Sequence, residues 1–355
     1  MTAKSLKSVQ LAALVMLVAL AASVPASAQV IGEIERLEPP LQGFFSKRLV
    51  RHGLPILAHT VVNDAALDEA ARRLDRLLER APGILSNLLA LEVRLEVIGQ
   101  EQVVTDLPQY RHMKGRRFAG AQTMDERGRG YGGIESSCSE ENLLSLPSDR
   151  YRDHRDICSH EFAHAIFGFG LTPEIRGRIE AQWRSATAAG KWPGMYAATN
   201  PDEYFAELTM WYVGSRGDYG KLDPSPSPGP RWLRAYDPAG YQLLDDLYSG
   251  RLAPGKIEVT DLKPLPATTE GQIKSGHGPI SPLLFVNRTD QPVRLYWLDD
   301  HGMRIERGFV APGVTRCEST YASHAWLVQH EDGGVGIYVA GHTLNRIVLA
   351  KERKP

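Results

Sequence analysis

The segment His160-Glu-Phe-Ala-His164 constrains the fold of this chain more than any other stretch, because its side chains can act together only on a helix. Histidines four residues apart share one helical face, about 6 Å apart, so both imidazoles can reach one metal ion. Glu161 would then face the open position of the metal, where it can take a proton from water. The pattern predicts His160 and His164 as zinc ligands and Glu161 as the base. Two histidines on an ordinary buried helix are the alternative.

A third ligand must come from elsewhere in the chain. Gly170 stands where metzincins have their third histidine, which excludes that family. Asp218 lies in a segment similar to the aspartate signature of aspzincins, but the spacing to the next tyrosine is wrong. Glu203 and Glu207 share one face of a predicted helix, and they could supply a ligand and a supporting acceptor for a ligand histidine. The expected site holds one Zn²⁺ per chain through two histidines, a glutamate and water.

The two motifs together resemble those of the catalytic domain of anthrax toxin lethal factor and its secreted relatives. The second helix of that family reads glutamate, two aromatics, alanine, glutamate, as residues 203–207 do here. The resemblance implies that Glu203 is the zinc ligand and Glu207 the supporting acid. It also implies that Tyr196, seven residues before Glu203, donates a hydrogen bond to the oxyanion of the tetrahedral intermediate. A packed loop aromatic is the alternative for Tyr196. The implied fold is an α+β, zincin-like metallopeptidase domain of the gluzincin type over residues 29–262.

The first 28 residues have the layout of a secretory signal. Lys4 and Lys7 precede an apolar run from Leu11 to Ala22, and Ala26-Ser-Ala28 is a small-residue cleavage site. A retained membrane anchor is the alternative, but the run is shorter than the roughly 18 to 20 residues that span a bilayer. We therefore expect cleavage after Ala28 and a secreted or periplasmic protein with no membrane association.

Charge and cysteine content restrict the partners and the covalent structure. The 41 lysines and arginines nearly cancel the 42 aspartates and glutamates, so we expect no binding to nucleic acid. The partner expected from the peptidase motifs is a protein or peptide substrate. An odd number of cysteines, Cys138, Cys158 and Cys317, leaves at least one thiol unpaired within an exported chain. A Cys138–Cys158 disulfide and three buried free thiols are both compatible with the spacing. Oligomeric state stays open.

Hydrophobic spacing predicts the elements around the motifs. We expect helices over residues 63–79, 152–167, 172–189, 200–213 and 236–248, and a strand over 91–98. Asn63 or Asp64 would cap the first helix, Ser148 the second and Asn200 the fourth. The glycine-rich stretch 128–133 lacks the lysine of a phosphate loop, so we interpret it as a turn that enters an edge strand near the site.

The C-terminal region has a different pattern. Residues 263–282, rich in proline, glycine and threonine, are a predicted linker, and short β-like runs over 283–350 predict an all-β sandwich. Motifs at 285–290, 295–298, 311–313 and 320–328 resemble the β-domain of the von Hippel-Lindau tumour suppressor, a domain that grips hydroxyproline peptides. Three residues fall on its pocket positions: Trp297, His324 and Trp326.

Two departures from that family and the chemistry of the side chains leave the role of the sandwich open. Thr320 replaces a pocket serine and Arg307 a pocket tyrosine, which puts hydroxyproline selectivity in doubt. Two tryptophans and a histidine could bind an extended peptide or could equally be core. A non-catalytic secreted protein whose sandwich binds protein or peptide is therefore the alternative to a peptidase.

Overall fold

The computed structural model describes residues 32–117, 122–151, 153–330, 333–334 and 336–350. The expected signal segment and its cleavage site lie outside these residues. The described chain combines several β-sheets with helices, which agrees with the expected α+β class. No described helix has the length and apolar character that crossing a membrane requires.

A five-stranded mixed sheet carries the first half of the chain. Its strands, in spatial order, are β1 (Glu35–Leu41), β2 (Phe45–Arg51), β3 (Leu54–Ala58), β4 (Arg94–Ile98) and β5 (Glu135–Ser139). The pairs β1–β2 and β2–β3 are antiparallel, whereas β3, β4 and β5 run parallel. Two helices, α1 (Asp64–Leu78) and α2 (Pro82–Ala90), connect β3 to β4 and bury their apolar side chains in the main core. Strand β5 is one edge of this sheet.

The remaining helices precede or follow β5. They are α3 (Met124–Arg127), α4 (Glu140–Leu143), α5 (Ile157–Ala165), α6 (Pro173–Ala188), α7 (Pro201–Tyr212), α8 (Pro230–Tyr236) and α9 (Pro238–Tyr248). The helix expected from Arg152 with Ser148 as its cap is shorter, because Asp156 caps it by accepting a hydrogen bond from the Ser159 N–H at 3.2 Å. Helices α5 and α7 pack against each other, so the two sequence motifs meet.

Two four-stranded sheets form the second β region. One has the order β10-β7-β13-β6 and the other β12-β11-β8-β9. Their strands are β6 (Val259–Asp261), β7 (Leu283–Arg288), β8 (Val293–Leu298), β9 (Arg304–Val310), β10 (Thr315–Glu318), β11 (Ala325–Gln329), β12 (Gly336–Val339) and β13 (Leu344–Ala350). Phe285, Leu295, Trp326 and Ile347 fill the core between the sheets. Strand β6 lies before the expected linker yet pairs with β13, while the division into domains stays a prediction.

The sandwich contacts the first sheet beside β5. The Thr315 N–H donates to the buried Glu135 carboxylate at 2.9 Å, and Arg94 donates to the same oxygen atom, also at 2.9 Å. The Gln42 side chain donates to the Gly313 carbonyl, and the His112 ring lies 5.7 Å from that of Phe309. These contacts hold strand β10 next to the edge of the first sheet.

Candidate active site

Local chemistry explains where helix α5 begins and what holds it. Asp156 caps its first turn, and Cys158, Phe162 and Ala163 are buried in the core. A disulfide joins Cys158 to Cys138 in β5, with 5.0 Å between their Cα atoms, so the structure has the paired cysteines that were one of two interpretations. The helix is therefore fixed to the sheet edge, with His160 and His164 on its opposite face.

Helix α7 begins with the cap that its sequence predicts. The Asn200 side chain accepts a hydrogen bond from the Glu203 N–H at 2.9 Å, and Pro201 occupies the first turn. The side chains that follow, from Tyr204 to Trp211, are buried. This cap fixes the first turn of α7 so that the Glu203 side chain faces the two histidines.

Three ligand atoms meet between the two helices. Nε2 of His160 lies 3.1 Å from Nε2 of His164, and Oε2 of Glu203 lies 3.3 Å from each of them. A tetrahedral zinc ion with bonds of about 2.0–2.1 Å holds its ligand atoms about 3.3–3.4 Å apart. Glu203 Oε2 is buried and has no hydrogen-bond partner in the described chain. The donor set, the spacing and this unsatisfied oxygen fit a zinc ion.

A carboxylate lies next to the Nδ1 atom of each imidazole, on the side of the ring opposite Nε2. His164 Nδ1 lies 2.6 Å from Asp202 Oδ1, which leaves Nε2 free to coordinate a metal. His160 Nδ1 lies 3.4 Å from Glu207 Oε1, an ion-pair contact too poorly aligned for a hydrogen bond. Glu207 also accepts a hydrogen bond from the Asp218 N–H, which holds its carboxylate in place. Glu207 thus lies where a supporting acid was expected, whereas the position of Asp202 was not foreseen.

The acids around the two histidines favour a positive charge between α5 and α7. Burial opposes protonation of His164, but Asp202 and Glu203 raise the pKa of its ring to about 10. Burial alone would raise the pKa of Glu203, yet the two imidazoles hold it well below its usual value. The acids therefore create a field that retains a proton on an imidazole, and a divalent cation can replace that proton.

Glu161 lies in the same cavity, held by the glycine-rich stretch. The Ser136 hydroxyl donates a hydrogen bond to the Glu161 carbonyl at 3.0 Å, and the backbone of Gly132 packs against the same turn of α5. Burial raises the pKa of the Glu161 carboxyl, although the neighbouring imidazoles oppose that shift. A Cβ atom at position 132 would lie 2.3 Å from the His164 Cβ, so only glycine allows this close approach. The stretch is a turn beside an edge strand, as its composition suggested, with Tyr131 bridged to Ser137.

Tyr196 borders the metal-ligand cluster on its exposed side. Its ring is 40% exposed and lies 6.3 Å, centre to centre, from the His160 ring. Burial and the nearby Glu203 carboxylate raise the pKa of Tyr196, so its hydroxyl stays protonated and can donate a hydrogen bond. Asp218, the alternative third ligand, instead accepts a hydrogen bond from the Tyr196 N–H at 2.7 Å and lies outside the cluster.

The cavity that contains the cluster has a volume of about 860 Å³ and walls from both halves of the chain. Arg127, Arg155 and the glycine-rich stretch contribute from the first half. Pro282, Cys317 and Ser319 contribute from the sandwich. The Cys317 side chain is exposed to solvent on the wall of this cavity, and the protein packed around its thiol raises its pKa to about 12.

The expected peptide-binding residues of the sandwich also lie together. Trp326 is only 2% exposed, packs in the sandwich core and donates its indole N–H to the Thr320 hydroxyl at 3.2 Å. Trp297 pairs with Trp326 across two strands and is half-buried, and the His324 ring lies 5.2 Å from it. Trp326 therefore has its polar atom satisfied internally. Peptide binding at Trp297 and His324 stays a prediction.

Neither the known protein families nor the curated proteins contain a match to this sequence. Among solved structures, the chain is similar to the Pro-Pro endopeptidase from Paenibacillus alvei, with a TM-score of 0.40 and 19% sequence identity. That similarity covers 54% of this chain and 97% of the other. A similarity this distant carries no argument about activity, so function must be argued from the geometry of the site.

Proposed function

We propose that this chain is a secreted zinc-dependent peptidase that hydrolyses peptide bonds at the cavity between α5 and α7. One observation carries the proposal: two imidazole nitrogens and an unsatisfied buried carboxylate oxygen form a triangle with sides of 3.1, 3.3 and 3.3 Å. This spacing fits three protein ligands around tetrahedral zinc, and all three residues line the cavity. His160, His164 and Glu203 would hold the ion.

The side chains around the triangle provide the groups that hydrolysis requires. When bound, zinc supplies a Lewis acid that polarises a substrate carbonyl and acidifies water. Glu161 takes a proton from the water whose oxygen attacks the carbonyl carbon, and it gives that proton to the amine nitrogen as the C–N bond breaks. The Tyr196 hydroxyl donates a hydrogen bond to the carbonyl oxygen as negative charge develops there.

Export is the second part of the proposal. The basic, apolar and small-residue segments of residues 1–28 support it, and the Cys138–Cys158 disulfide fits the oxidising compartments in which such bonds persist. N-terminal sequencing of the protein recovered from periplasm or medium should give Gln29 as the first residue. Recovery of an intact Met1 end would contradict cleavage after Ala28, and absence of the protein from both periplasm and medium would contradict export.

A matched pair of proteins tests the catalytic proposal. The wild type should contain one zinc per chain and digest unfolded casein, and a chelator should stop the digestion. The isosteric variant Glu161→Gln should keep its zinc and lose about 10²- to 10⁴-fold in rate, because only proton transfer is removed. Full activity in Glu161→Gln would refute the mechanism. A zinc-containing wild type that cleaves nothing would favour a non-catalytic binding protein.

A further inference from the structure

A second cavity adjoins the one that contains the metal-ligand cluster. It has a volume of about 300 Å³ and is bordered by the first half of the chain and by strand β10. The two cavities share Gly132, Gly133 and Cys317 as lining residues, so they meet at these three residues. A chain that crosses the catalytic cavity therefore reaches the border of the second cavity, which we call the side pocket.

Most of the side-pocket lining is apolar. Tyr110, Met113, Met124 and Ile134 provide its apolar surface. Its polar members are partly engaged: Arg94 and the Thr315 N–H bind Oε1 of Glu135, and Arg316 donates to Glu318 at 2.7 Å, whereas Oε2 of Glu135 and Oε1 of Gln109 are buried without a hydrogen-bond partner. Methionine side chains adapt to several shapes, and about 300 Å³ is at the low end of ligand-site volumes. The pocket thus fits one or two apolar side chains.

Strand β10 provides main-chain groups along the passage between the cavities. It is the terminal strand of its sheet, so one of its sides pairs with β7 and the other is an open edge of that sheet. The Thr315 N–H points away from β7, because it donates to Glu135 in the first sheet. Alternate residues of a strand direct their main-chain groups to the same side, so those of Cys317 also point away from β7. This edge can form hydrogen bonds with an extended peptide.

We propose that the passage between the glycine-rich stretch and β10 binds an extended segment of the substrate polypeptide, with one of its apolar side chains in the side pocket. The sandwich is then a wall of the substrate-binding cleft, and it sets specificity at a distance from the bond that is cleaved. Backbone pairing would provide affinity and the pocket would provide selection, as in other cases of strand addition. This inference rests on the proposed peptidase function.

The test measures how enzyme variants with a filled side pocket respond to replacement of single apolar residues in the substrate. A casein peptide that the wild type cleaves is synthesised with each apolar residue replaced in turn by alanine, and kcat/KM is measured for every version. Burial of one apolar side chain corresponds to about 10- to 100-fold in kcat/KM, so one replacement should stand out by that factor. In Cys317→Trp, which fills the junction, the same replacement should change kcat/KM less than about threefold.

Two further variants keep the test decisive. Met113→Trp fills the side pocket from a residue that does not line the catalytic cavity, and it should remove the same discrimination. Val348→Trp adds a tryptophan to an exposed position of β13 in the same sheet, and it should keep the discrimination. Undiminished discrimination in folded, zinc-containing Cys317→Trp and Met113→Trp proteins would overturn the inference.

A binding measurement separates failure of this inference from failure of the proposed function. Fluorescently labelled unfolded casein is titrated with Glu161→Gln protein, and its anisotropy reports binding without any need for cleavage. We expect binding that weakens about 10-fold or more in the Glu161→Gln, Cys317→Trp double variant. If the wild type cleaves nothing but the two variants still differ in casein binding, the proposed peptidase function is wrong and the proposed binding cleft is supported. Equal binding by both proteins would overturn the cleft alone.

Discussion

Two groups of acids and histidines lie within metal-ligand distance in the part of the chain that the structure describes. One lies between α5 and α7 (His160, His164 and Glu203), and the other lies in the turn after β8 (Asp299, Asp300 and His301). In both groups the ligand atoms are within 4.8 Å of one another. Ligand distance is therefore common to both, and their surroundings distinguish them.

The turn after β8 already satisfies its own polar atoms. Asp299 accepts hydrogen bonds from the N–H groups of His301 and Met303, at 2.9 and 2.7 Å, and the other two side chains are exposed to water. Between α5 and α7, in contrast, Glu203 Oε2 is buried without a hydrogen bond and faces two imidazole nitrogens, each 3.3 Å away. Burial and an unmet need for charge, more than proximity, indicate a metal site.

The largest expected effect comes from removing one histidine from each group. His164→Ala should lose its zinc and its hydrolytic activity, because only two ligands remain and Asp202 loses the imidazole that it contacts. The fall in zinc affinity should exceed the roughly 10- to 100-fold typical for loss of a supporting group. His301→Ala should keep one zinc per chain and full activity. Metal analysis and casein digestion decide the matter, and an equal loss of zinc in both variants would remove the distinction between the groups.

A second prediction tests whether close packing holds the buried group together. Gly132→Ala places a methyl group within 2.3 Å of the His164 Cβ, so α5 must shift. We expect the free energy of unfolding to fall by about 1–3 kcal/mol, as for other overpacked sites, and zinc to bind more weakly. Denaturant unfolding of both zinc-loaded and zinc-free protein measures the change.

Gly177→Ala is the matched control for this substitution. Gly177 lies in α6 with no atom within 4 Å of an added Cβ, so alanine should raise the free energy of unfolding by about 0.5–1 kcal/mol. Opposite signs for the two changes would support the packing argument. Stabilisation by both would show that the loop beside α5 tolerates a side chain.

The same contrast explains how much of the site could be predicted from the sequence. His160 and His164 follow from spacing, because helical periodicity determines which side chains share a face. Spacing also places Glu203 and Glu207 on one face, but the choice of Glu203 as the ligand came from the family resemblance of that helix. The role of Asp202 could not be predicted from the sequence. An acid in the first turn of a helix is already explained by the helix dipole, so nothing in the sequence marks its contact with His164. The role of Gly132 was also hidden, since it depends on a neighbour 32 residues away in the chain.

The fold shows a similar limit. The helices over α1, α6 and α7 were predicted closely because their caps and apolar spacing are local signals. The helix expected over 236–248 begins instead at Pro238, because the Asp237 carboxylate caps α9 while also binding Trp192 and Tyr204, and the short helix α8 before it was not predicted. The placement of β10 beside β5 depends on tertiary contacts such as Thr315 with Glu135, which leave no pattern along the chain.

A third prediction concerns the acid that supports His164. Asp202→Asn keeps the size of the side chain but removes the charge that orients the ring, so zinc affinity should fall about 10- to 100-fold. Asp300→Asn, in the turn after β8, should leave zinc affinity unchanged. Competition with a fluorescent zinc chelator measures both. Unchanged affinity in Asp202→Asn would mean that helix packing alone orients the imidazole.

The smallest expected effect comes from the helix cap that positions Glu203. Asn200→Ala removes the acceptor for the Glu203 N–H, so the free energy of unfolding should fall by about 1 kcal/mol. Zinc binding should also weaken, because the first turn of α7 carries both Asp202 and Glu203. Asn63→Ala removes the equivalent cap of α1, where the side chain accepts from the Ala65 N–H at 3.0 Å. It should cost a similar amount of stability without changing zinc affinity, since no ligand lies on α1. Equal zinc affinities in the two variants would show that the carboxylate ligand is held by the packing of α7 rather than by its cap.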